Sequence, residues 1–214
     1  MNNRVLLLNP ELNPEILGLL DTEKVWMNLH GDYTYMTWGY YLSLDTENEG
    51  RTVVPTTRDI LDAYVVPIAL EKAAKGGLDV PVSRIVNFMH EVRSPFIAYP
   101  LNPFSAGYEI VETKEETESK IKRVTMSGKY ATHVQDLPEN FRVDTFRCIM
   151  GMTLIPEYSN FARTVFDIFH LPLMKVKVIV TPQRYLFSSI EPLPYEDLTL
   201  NEKRIVEEMG KWRE

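Results

Sequence analysis

The residue types best suited to chemistry in this sequence lie together in one segment, residues 28–44. His30 and Asp32 are two residues apart, and a carboxylate beside an imidazole raises the basicity of the ring, which suits acid–base catalysis in a pocket. A turn held by ordinary polar contacts explains the same pair. Five aromatic residues follow between Tyr33 and Tyr41, and they surround a single glycine. The candidate residues for a ligand- or partner-binding surface are Asn28, His30, Asp32, Tyr33, Tyr35, Gly39, Tyr40 and Tyr41.

The aromatic residues of this segment admit two interpretations. Tyr33, Tyr35 and Tyr41 share one parity along the chain, and Gly39 would let a second backbone or a ligand approach closely. In the first interpretation a helix or strand packs the rings into the core, with the tyrosine hydroxyls at its edge. In the second, the rings and the open glycine line a small-molecule pocket.

Other common kinds of active site have no counterpart in the sequence. The four histidines are not spaced as two metal ligands on one helix face, so no metal is expected. The glycine-rich phosphate-binding motifs and the G-x-S-x-G nucleophile motif do not occur, and no cofactor is expected. Cys148 is the single cysteine; its apolar neighbours predict a buried, unreactive thiol in a reducing compartment.

Composition and charge indicate a globular protein of 214 residues. Hydrophobic residues make up 44% and the net charge is -7, which argues against nucleic acid as a partner. A basic run, Lys120 to Arg123, is interpreted as a solvated helix face. No apolar run has the length that a membrane span requires, so we expect no membrane partner and a cytoplasmic location.

The elements that must position the segment belong to an α/β fold. An apolar run at residues 5–8, a helix opening at Pro14 and an apolar run at residues 25–29 predict a strand, a helix and a strand in a parallel arrangement. Thr56 or Thr57 is expected to cap a helix that reaches Lys75 and that Pro67 divides in two.

The rest of the chain is predicted in two parts. Residues 78–140 contain short strand-like runs, with a capping box at Thr113 before a charged helix, and are interpreted as an insertion into a single domain spanning residues 1–214. Residues 144–212 predict a strand and then a C-terminal helix–hairpin–helix segment, in which Lys175 and Lys177 alternate with apolar residues. Thr199-Leu200-Asn201-Glu202 is expected to cap the final helix. The fold class is therefore α/β, a mixed sheet with flanking helices.

Two blocks of sequence resemble the RimK-like ATP-grasp N-terminal domain family. In the first block, Asn28-Leu29, Tyr33-Thr34-Tyr35 and Gly39-Tyr40-Tyr41-Leu42-Ser43-Leu44 precede Gly50 and Pro55, as in the family's pattern. In the second block, the stretches that fit are residues 149–153, 156–158, 162–163, 165–166, 169, 171–176 and 190–193. The blocks span residues 25–62 and 144–212. The acidic run at residues 45–49 departs from the family's apolar and small residues.

The resemblance implies an accessory role, because such domains usually precede an ATP-grasp ligase that couples a carboxylate to an amine. We expect a non-catalytic accessory or recognition module, with a separate ATP-grasp ligase or that ligase's substrate as partner. Ile190-Glu191-Pro192 lacks the asparagine expected beside a magnesium-binding carboxylate. Residues 95–102 faintly resemble the entrance to an ATP-grasp domain, with Tyr99 in place of a nucleotide-binding lysine. The alternatives are an enzyme using an aromatic pocket around Gly39, a decayed ATP-grasp relative, and a self-associating homo-oligomer.

Overall fold

The computed structural model describes residues 5–8, 25–87, 92–101, 107–208 and 210–212. The strands are β1 (Val5–Leu8), β2 (Trp26–Asn28), β3 (Val53–Val54), β4 (Ser83–Val86), β5 (Phe96–Pro100), β6 (Glu109–Val111), β7 (Thr132–Asp136), β8 (Arg142–Ile149), β9 (Leu173–Val180), β10 (Tyr185–Pro192) and β11 (Gly210–Trp212). The α-helices are α1 (Trp38–Asn48), α2 (Thr57–Tyr64), α3 (Val66–Lys75), α4 (Lys114–Val124), α5 (Ser159–Phe169) and α6 (Leu200–Glu208). The predicted α/β class with a mixed sheet is confirmed.

The chain forms two compact units. The first contains residues 1–64, 146–176 and 190–214, and the second contains residues 65–145 and 177–189. The predicted insertion, residues 78–140, falls inside the second unit. Whether it was inserted into an older single domain stays a prediction.

The first unit contains a four-stranded mixed sheet in the order β11-β1-β2-β3. The predicted first strand is confirmed at Val5–Leu8, but it pairs antiparallel with β2. The prediction of a parallel start is therefore wrong for this pair, whereas β2 and β3 are parallel. The helix predicted to open at Pro14 lies outside the described residues.

Local capping signals place the helices that follow β3. Thr56 and Asp59 form a reciprocal capping box: the Thr56 hydroxyl donates to Asp59 Oδ2 over 2.7 Å, and the Asp59 N–H donates to Thr56 Oγ1 over 3.1 Å. Helix α2 then ends at Tyr64, and α3 begins at Val66 with Pro67 in its first turn. The predicted division at Pro67 is confirmed, and it follows from the missing N–H and fixed φ of proline.

The second unit contains a four-stranded sheet in the order β4-β7-β5-β6, with antiparallel pairing throughout. Helix α4 covers one face, where Ile121 and Val124 pack against Phe96, Ala98 and Val134. Thr113 precedes α4 as predicted, but its hydroxyl makes no capping bond. The basic run on α4 is paired with carboxylates, for example Lys122 with Glu118 at 2.6 Å.

The C-terminal third has the element order β8, α5, β9, β10, α6, and the three strands form a sheet in the order β10-β9-β8. Cys148 in β8 is fully buried, so the predicted burial of its thiol is confirmed, and this burial raises the pKa of the thiol to about 12. Thr199 and Glu202 form the predicted capping box of α6. Among the described residues, no helix is both long enough and apolar enough to cross a membrane.

Candidate functional site

Asn28 forms the base of the aromatic segment in the first unit. It lies at the end of β2 and is fully buried. Its amide nitrogen donates to Gly39 O over 2.7 Å and to Ser43 Oγ over 3.0 Å, and its amide oxygen accepts from the His30 N–H. The Ser43 hydroxyl donates in turn to Pro55 O. One side chain thus fixes the first two turns of α1 to the end of the sheet.

Gly39 provides the close backbone approach that the sequence predicts, and the approaching group is the chain itself. A Cβ atom at Gly39 would overlap the main-chain oxygen of Asp32 and would lie 3.0 Å from His30 Nδ1. The Thr37 hydroxyl caps α1 by accepting from the Tyr40 N–H, and it donates to Thr34 O over 2.7 Å. The turn before α1 is therefore packed tightly against the first turn of the helix.

His30 and Asp32 are engaged within this turn. His30 Nδ1 lies 3.2 Å from the main-chain oxygen of Asp32. The Asp32 carboxylate accepts from the Thr34 N–H over 3.1 Å and from the Thr34 hydroxyl over 2.7 Å. These contacts fit the turn interpretation of the pair. A role in acid–base catalysis stays a prediction.

The tyrosines of the segment separate into an inner and an outer group. Tyr33 is fully buried, its hydroxyl donates to Asn28 O over 2.7 Å, and burial raises its pKa. Tyr35 is 50% exposed and Tyr41 is 40% exposed. Tyr40 lies between them, with ring centroids 5.2 Å from Tyr35 and 5.8 Å from Tyr41, both in edge-to-face geometry. Three aromatic rings therefore form a continuous surface array.

Two further residues belong to this surface although the sequence did not single them out as site residues. Trp38 is 56% exposed and Met36 is 57% exposed. The helical spacing of Trp38 and Tyr41, three residues apart, is the signal that could have found the first. Met36 has φ +68°, a left-handed conformation that long side chains rarely adopt, and nothing in its sequence context signals it.

A second polar group lies in the second unit, around Tyr99. Tyr99 is 4% exposed, and its hydroxyl lies 2.7 Å from Ser188 Oγ and accepts from Ser189 Oγ over 3.1 Å. Ser188 Oγ donates to Gln135 Oε1 over 2.6 Å, and Gln135 Nε2 donates to Ser188 O over 2.9 Å. The four side chains satisfy one another in the interior. We call this set, Tyr99, Gln135, Ser188 and Ser189, the Tyr99 network.

Lys177, which alternates with apolar residues on β9, lies in the interior of the same unit. Its side chain is only 1% exposed. The ammonium nitrogen is 3.7 Å from the centroid of the Tyr108 ring and 3.3 Å from Thr145 Oγ1. The cation–π contact offsets part of the cost of removing the charge from water.

His133 gives the second unit a pH dependence that can be measured. It is 2% exposed, in β7 between Ile85 of β4 and Tyr99 of β5, and its Nδ1 has no hydrogen-bond partner among the described residues. Burial lowers its pKa from 6.5 to about 4. The unfolded chain therefore binds this proton more tightly, so stability that is complete well above pH 6.5 is lost as the pH falls through 6.5 toward 4, by about 3 kcal/mol in total.

Replacement His133→Leu is expected to flatten this dependence, because the leucine side chain cannot take up a proton. The free energy of unfolding, measured by urea titration at pH 7 and pH 4.5, should fall less in the variant than in the wild type. An equal fall in both proteins would show that His133 is not the responsible group.

Comparison with known proteins identifies a family model that matches part of this chain and solved structures with a similar fold. The family model described as "RimK-like ATPgrasp N-terminal domain" matches residues 106–209. This range contains most of the second resembling block and part of the predicted insertion, whereas the first block lies outside it. A comparison with curated proteins finds no significant match.

Three solved structures illustrate the fold likeness. The D-alanine-D-alanine ligase from Helicobacter pylori is 14% identical, with a TM-score of 0.59 over 87% of this chain and 71% of that chain. A RimK domain ATP-grasp protein from Sphaerobacter thermophilus is 14% identical, with a TM-score of 0.56 over 79% of this chain and 72% of that chain. The ATP-grasp ligase PsnB, complexed with a phosphomimetic variant of its minimal precursor, Mg and ADP, is 13% identical, with a TM-score of 0.53 over 80% of this chain and 67% of that chain.

At these identities the likeness to the three structures, all ATP-grasp proteins by description, shows the fold alone. The family match is the more specific finding, and it falls where the second block of the sequence carries the family's residues. The predicted resemblance to the RimK-like ATP-grasp N-terminal domain family is therefore confirmed, with residues 106–209 as the matching part of this chain.

Proposed function

We propose that this protein is a non-catalytic accessory or recognition module that works with a separate ATP-grasp carboxylate–amine ligase. The family match and the fold likeness to ATP-grasp ligases supply the context. PsnB has also been solved with a precursor peptide, PsnA2, and AMPPNP. A polypeptide, either the ligase or its peptide substrate, is accordingly the partner we propose.

The observation that carries the proposal is the Tyr99 network. An ATP-grasp ligase must neutralise the charge of nucleotide phosphates, which requires cationic side chains or metal ions at the reacting centre. In the faint resemblance of residues 95–102 to the entrance of an ATP-grasp domain, Tyr99 stands in place of a nucleotide-binding lysine, and a phenol supplies no positive charge. Its hydroxyl is bound to Ser188 and Ser189 within a buried set of mutually satisfied groups. This arrangement supports a packed interior at that position.

The chemistry around residue 191 supports the same interpretation. A magnesium site of the ligase type pairs a carboxylate with an asparagine, and both supply oxygen ligands. The stretch from Ser189 to Pro192 contains the carboxylate of Glu191 but no asparagine. Ser189 is 2% exposed and donates to Tyr99. This stretch thus lacks one member of the required pair, and its first residue belongs to the Tyr99 network.

A direct test measures nucleotide binding and partner binding separately. Isothermal titration of the purified chain with ATP or ADP in the presence of Mg is expected to show no binding, with the ligase PsnB as the positive control. The tagged chain, expressed in its native host, is expected to retain an ATP-grasp ligase, and adding it back should change that ligase's rate of ATP consumption. Micromolar nucleotide binding, or a ligase whose rate is indifferent to this chain, would contradict the proposal.

A further inference from the structure

We propose that the exposed aromatic face of α1 is a docking surface for a cationic polypeptide segment that carries an arginine or lysine close to an apolar side chain. The surface consists of Tyr35, Met36, Trp38, Tyr41 and Asp45, and we call it the α1 face. The inference deepens the proposed function and rests on it for the expectation that the partner is a polypeptide.

The helical part of the α1 face, residues 38, 41 and 45, lies opposite the buried stripe of α1, and Tyr35 and Met36 come from the turn before the helix. Gly39, Ser43 and Thr46 are the buried residues of α1. Trp38, Tyr41, Asp45 and Asn48 are all exposed, and their spacing of three, four and three residues places them in one row. Four large apolar side chains, at residues 35, 36, 38 and 41, are each 40–57% exposed. Such a contiguous apolar surface is typical of interaction sites.

Contacts with the end of β2 and with the turn before α1 hold the α1 face rigid. Asn28 fixes Gly39 and Ser43, the turn at Asp32 is packed on Gly39, and the ring contacts from Tyr35 through Tyr40 to Tyr41 fix the aromatic array. A preorganised surface loses little conformational entropy when a partner binds. The aromatic side chains add large contact areas with few rotatable bonds.

The conformation of Met36 points to the same surface. With φ +68° it occupies a strained backbone region, yet its side chain is 57% exposed and so gains little from packing in the interior. The neighbouring turn holds it there, because the Thr37 N–H and hydroxyl both bond to Thr34 O. The turn thus keeps an apolar side chain exposed next to Tyr35.

The negative charge of the segment that carries the α1 face favours a cationic partner. Between Lys24 and Arg51 the chain has no lysine or arginine, and it has four carboxylates, Asp32, Asp45, Glu47 and Glu49. Asp32 and Glu47 bond to threonines and Glu49 pairs with Arg51 at 2.9 Å, while Asp45 lies exposed in the row with Trp38 and Tyr41. Arginine or lysine can pair with a carboxylate and also lie over an aromatic face.

The spacing of the row defines the partner more closely. Trp38 and Asp45 are seven residues apart on a helix, a rise of about 10 Å. An extended segment spans that distance with about three residues, so an apolar side chain over Trp38 and a basic side chain at Asp45 would be about three residues apart. If the partner segment is helical, a basic side chain one turn away from an apolar side chain can contact the ring of Tyr41 while the apolar side chain contacts Trp38.

The test selects peptides with the chain alone. A random twelve-residue peptide display library is panned against the wild-type protein and, for subtraction, against the double variant Trp38→Ala, Tyr41→Ala. The wild type is expected to enrich peptides with arginine or lysine near an aromatic or aliphatic residue. The dissociation constant of the most enriched peptide should rise at least about tenfold in the double variant and about threefold or more in Asp45→Lys.

The matched control is Leu200→Ala, which removes an apolar side chain of 79% exposure at the start of α6. The dissociation constant in this control should stay within about twofold of the wild type, while the thermal midpoint of every variant should shift by less than about 3 °C. If the double variant loses its thermal transition, the single changes Trp38→Gln and Tyr41→Gln replace it. Enrichment of peptides without basic residues, or equal binding by wild type and double variant, overturns the inference.

The outcome can be separated from that of the proposed function. If a ligase binds the wild type and the double variant equally, the docking surface is wrong while the accessory role stands. If the peptides behave as expected but no ligase is retained, the accessory role fails while the surface stands. A concentration-dependent dimer in sedimentation velocity that disappears in the double variant assigns the α1 face to a second copy of this chain and overturns the inference.

Discussion

Gly31→Ala is expected to lower the free energy of unfolding by about 4 kcal/mol. Gly31 has φ +82°, and a Cβ atom there would overlap the main-chain oxygen of Leu193 and lie 2.9 Å from the Pro194 Cα. The left-handed conformation costs alanine about 1 kcal/mol, and displacing a packed backbone costs about 1–3 kcal/mol more. The displacement also breaks the bond from the Leu193 N–H to Gly31 O, now 3.0 Å long.

The matched control is Gly50→Ala. Gly50 follows α1 with φ +70°, and no atom of the described residues lies within 4 Å of the position that a Cβ would take there. Only the conformational cost remains, so the expected loss is about 1 kcal/mol. Urea unfolding of both variants at pH 7 measures the difference. Equal losses in the two variants would show that the contact with Leu193 contributes little.

The sequence predicted best those features that neighbouring residues determine. The helix cap expected at Thr56 or Thr57, the cap at Thr199 and the division at Pro67 depend on residues within one helical turn, and the structure has a cap at Thr56, the cap at Thr199 and the division. Such signals work because they satisfy the backbone groups that every helix end leaves without an intrahelical partner. The burial of Cys148 followed equally well from its apolar neighbours.

Features that depend on distant residues were missed. Strand β7 is hidden in sequence because His133 and Gln135 are polar, and they are buried through neighbours contributed by β5 and β10. The alternation of Lys175 and Lys177 with apolar residues on β9 does not reveal that Lys177 is buried, in contact with Tyr108 and Thr145. A period of two indicates an exposed face only where one side of the strand is open to water.

The aromatic segment, residues 28–44, shows why the burial of each tyrosine could not be predicted from the sequence. In the sequence, a strand-like parity groups Tyr33, Tyr35 and Tyr41. The structure starts a helix at Trp38, so Tyr41 shares its face with Trp38, whereas Tyr33 in the preceding turn is fully buried. The helical repeat begins only after the Thr37 cap, and the position of this start decides which rings reach the surface. The cap itself depends on contacts of Thr37 with Thr34 and Asp32.

Asn28→Asp is expected to destabilise the first unit by about 3–5 kcal/mol at pH 7. The change replaces the amide donor that faces Gly39 O at 2.7 Å with a carboxylate oxygen, so two acceptors confront each other. It also removes the donor to Ser43 Oγ, whose own hydrogen is committed to Pro55 O. Because the site is fully buried, the new charge has lost its hydration without gaining a partner of opposite sign.

The same reasoning gives the sign of a pH effect. Burial and the facing carbonyl raise the pKa of the new carboxyl group, so the folded variant takes up a proton at a pH where the unfolded chain is still ionised. The stability gap between variant and wild type should therefore narrow as the pH is lowered from 7 toward 5, since a protonated carboxyl group can donate to Gly39 O. His133 titrates in both proteins and cancels in the difference.

Asn48→Asp is the matched control, because Asn48 is exposed at the other end of α1. A negative charge at a helix C-terminus costs about 0.5 kcal/mol, and that cost should change little between pH 7 and pH 5. Urea unfolding of the three proteins at both pH values gives the two differences. If Asn28→Asp costs no more than Asn48→Asp, the amide of Asn28 does not hold α1 to the sheet, and the rigidity of the α1 face must have another source.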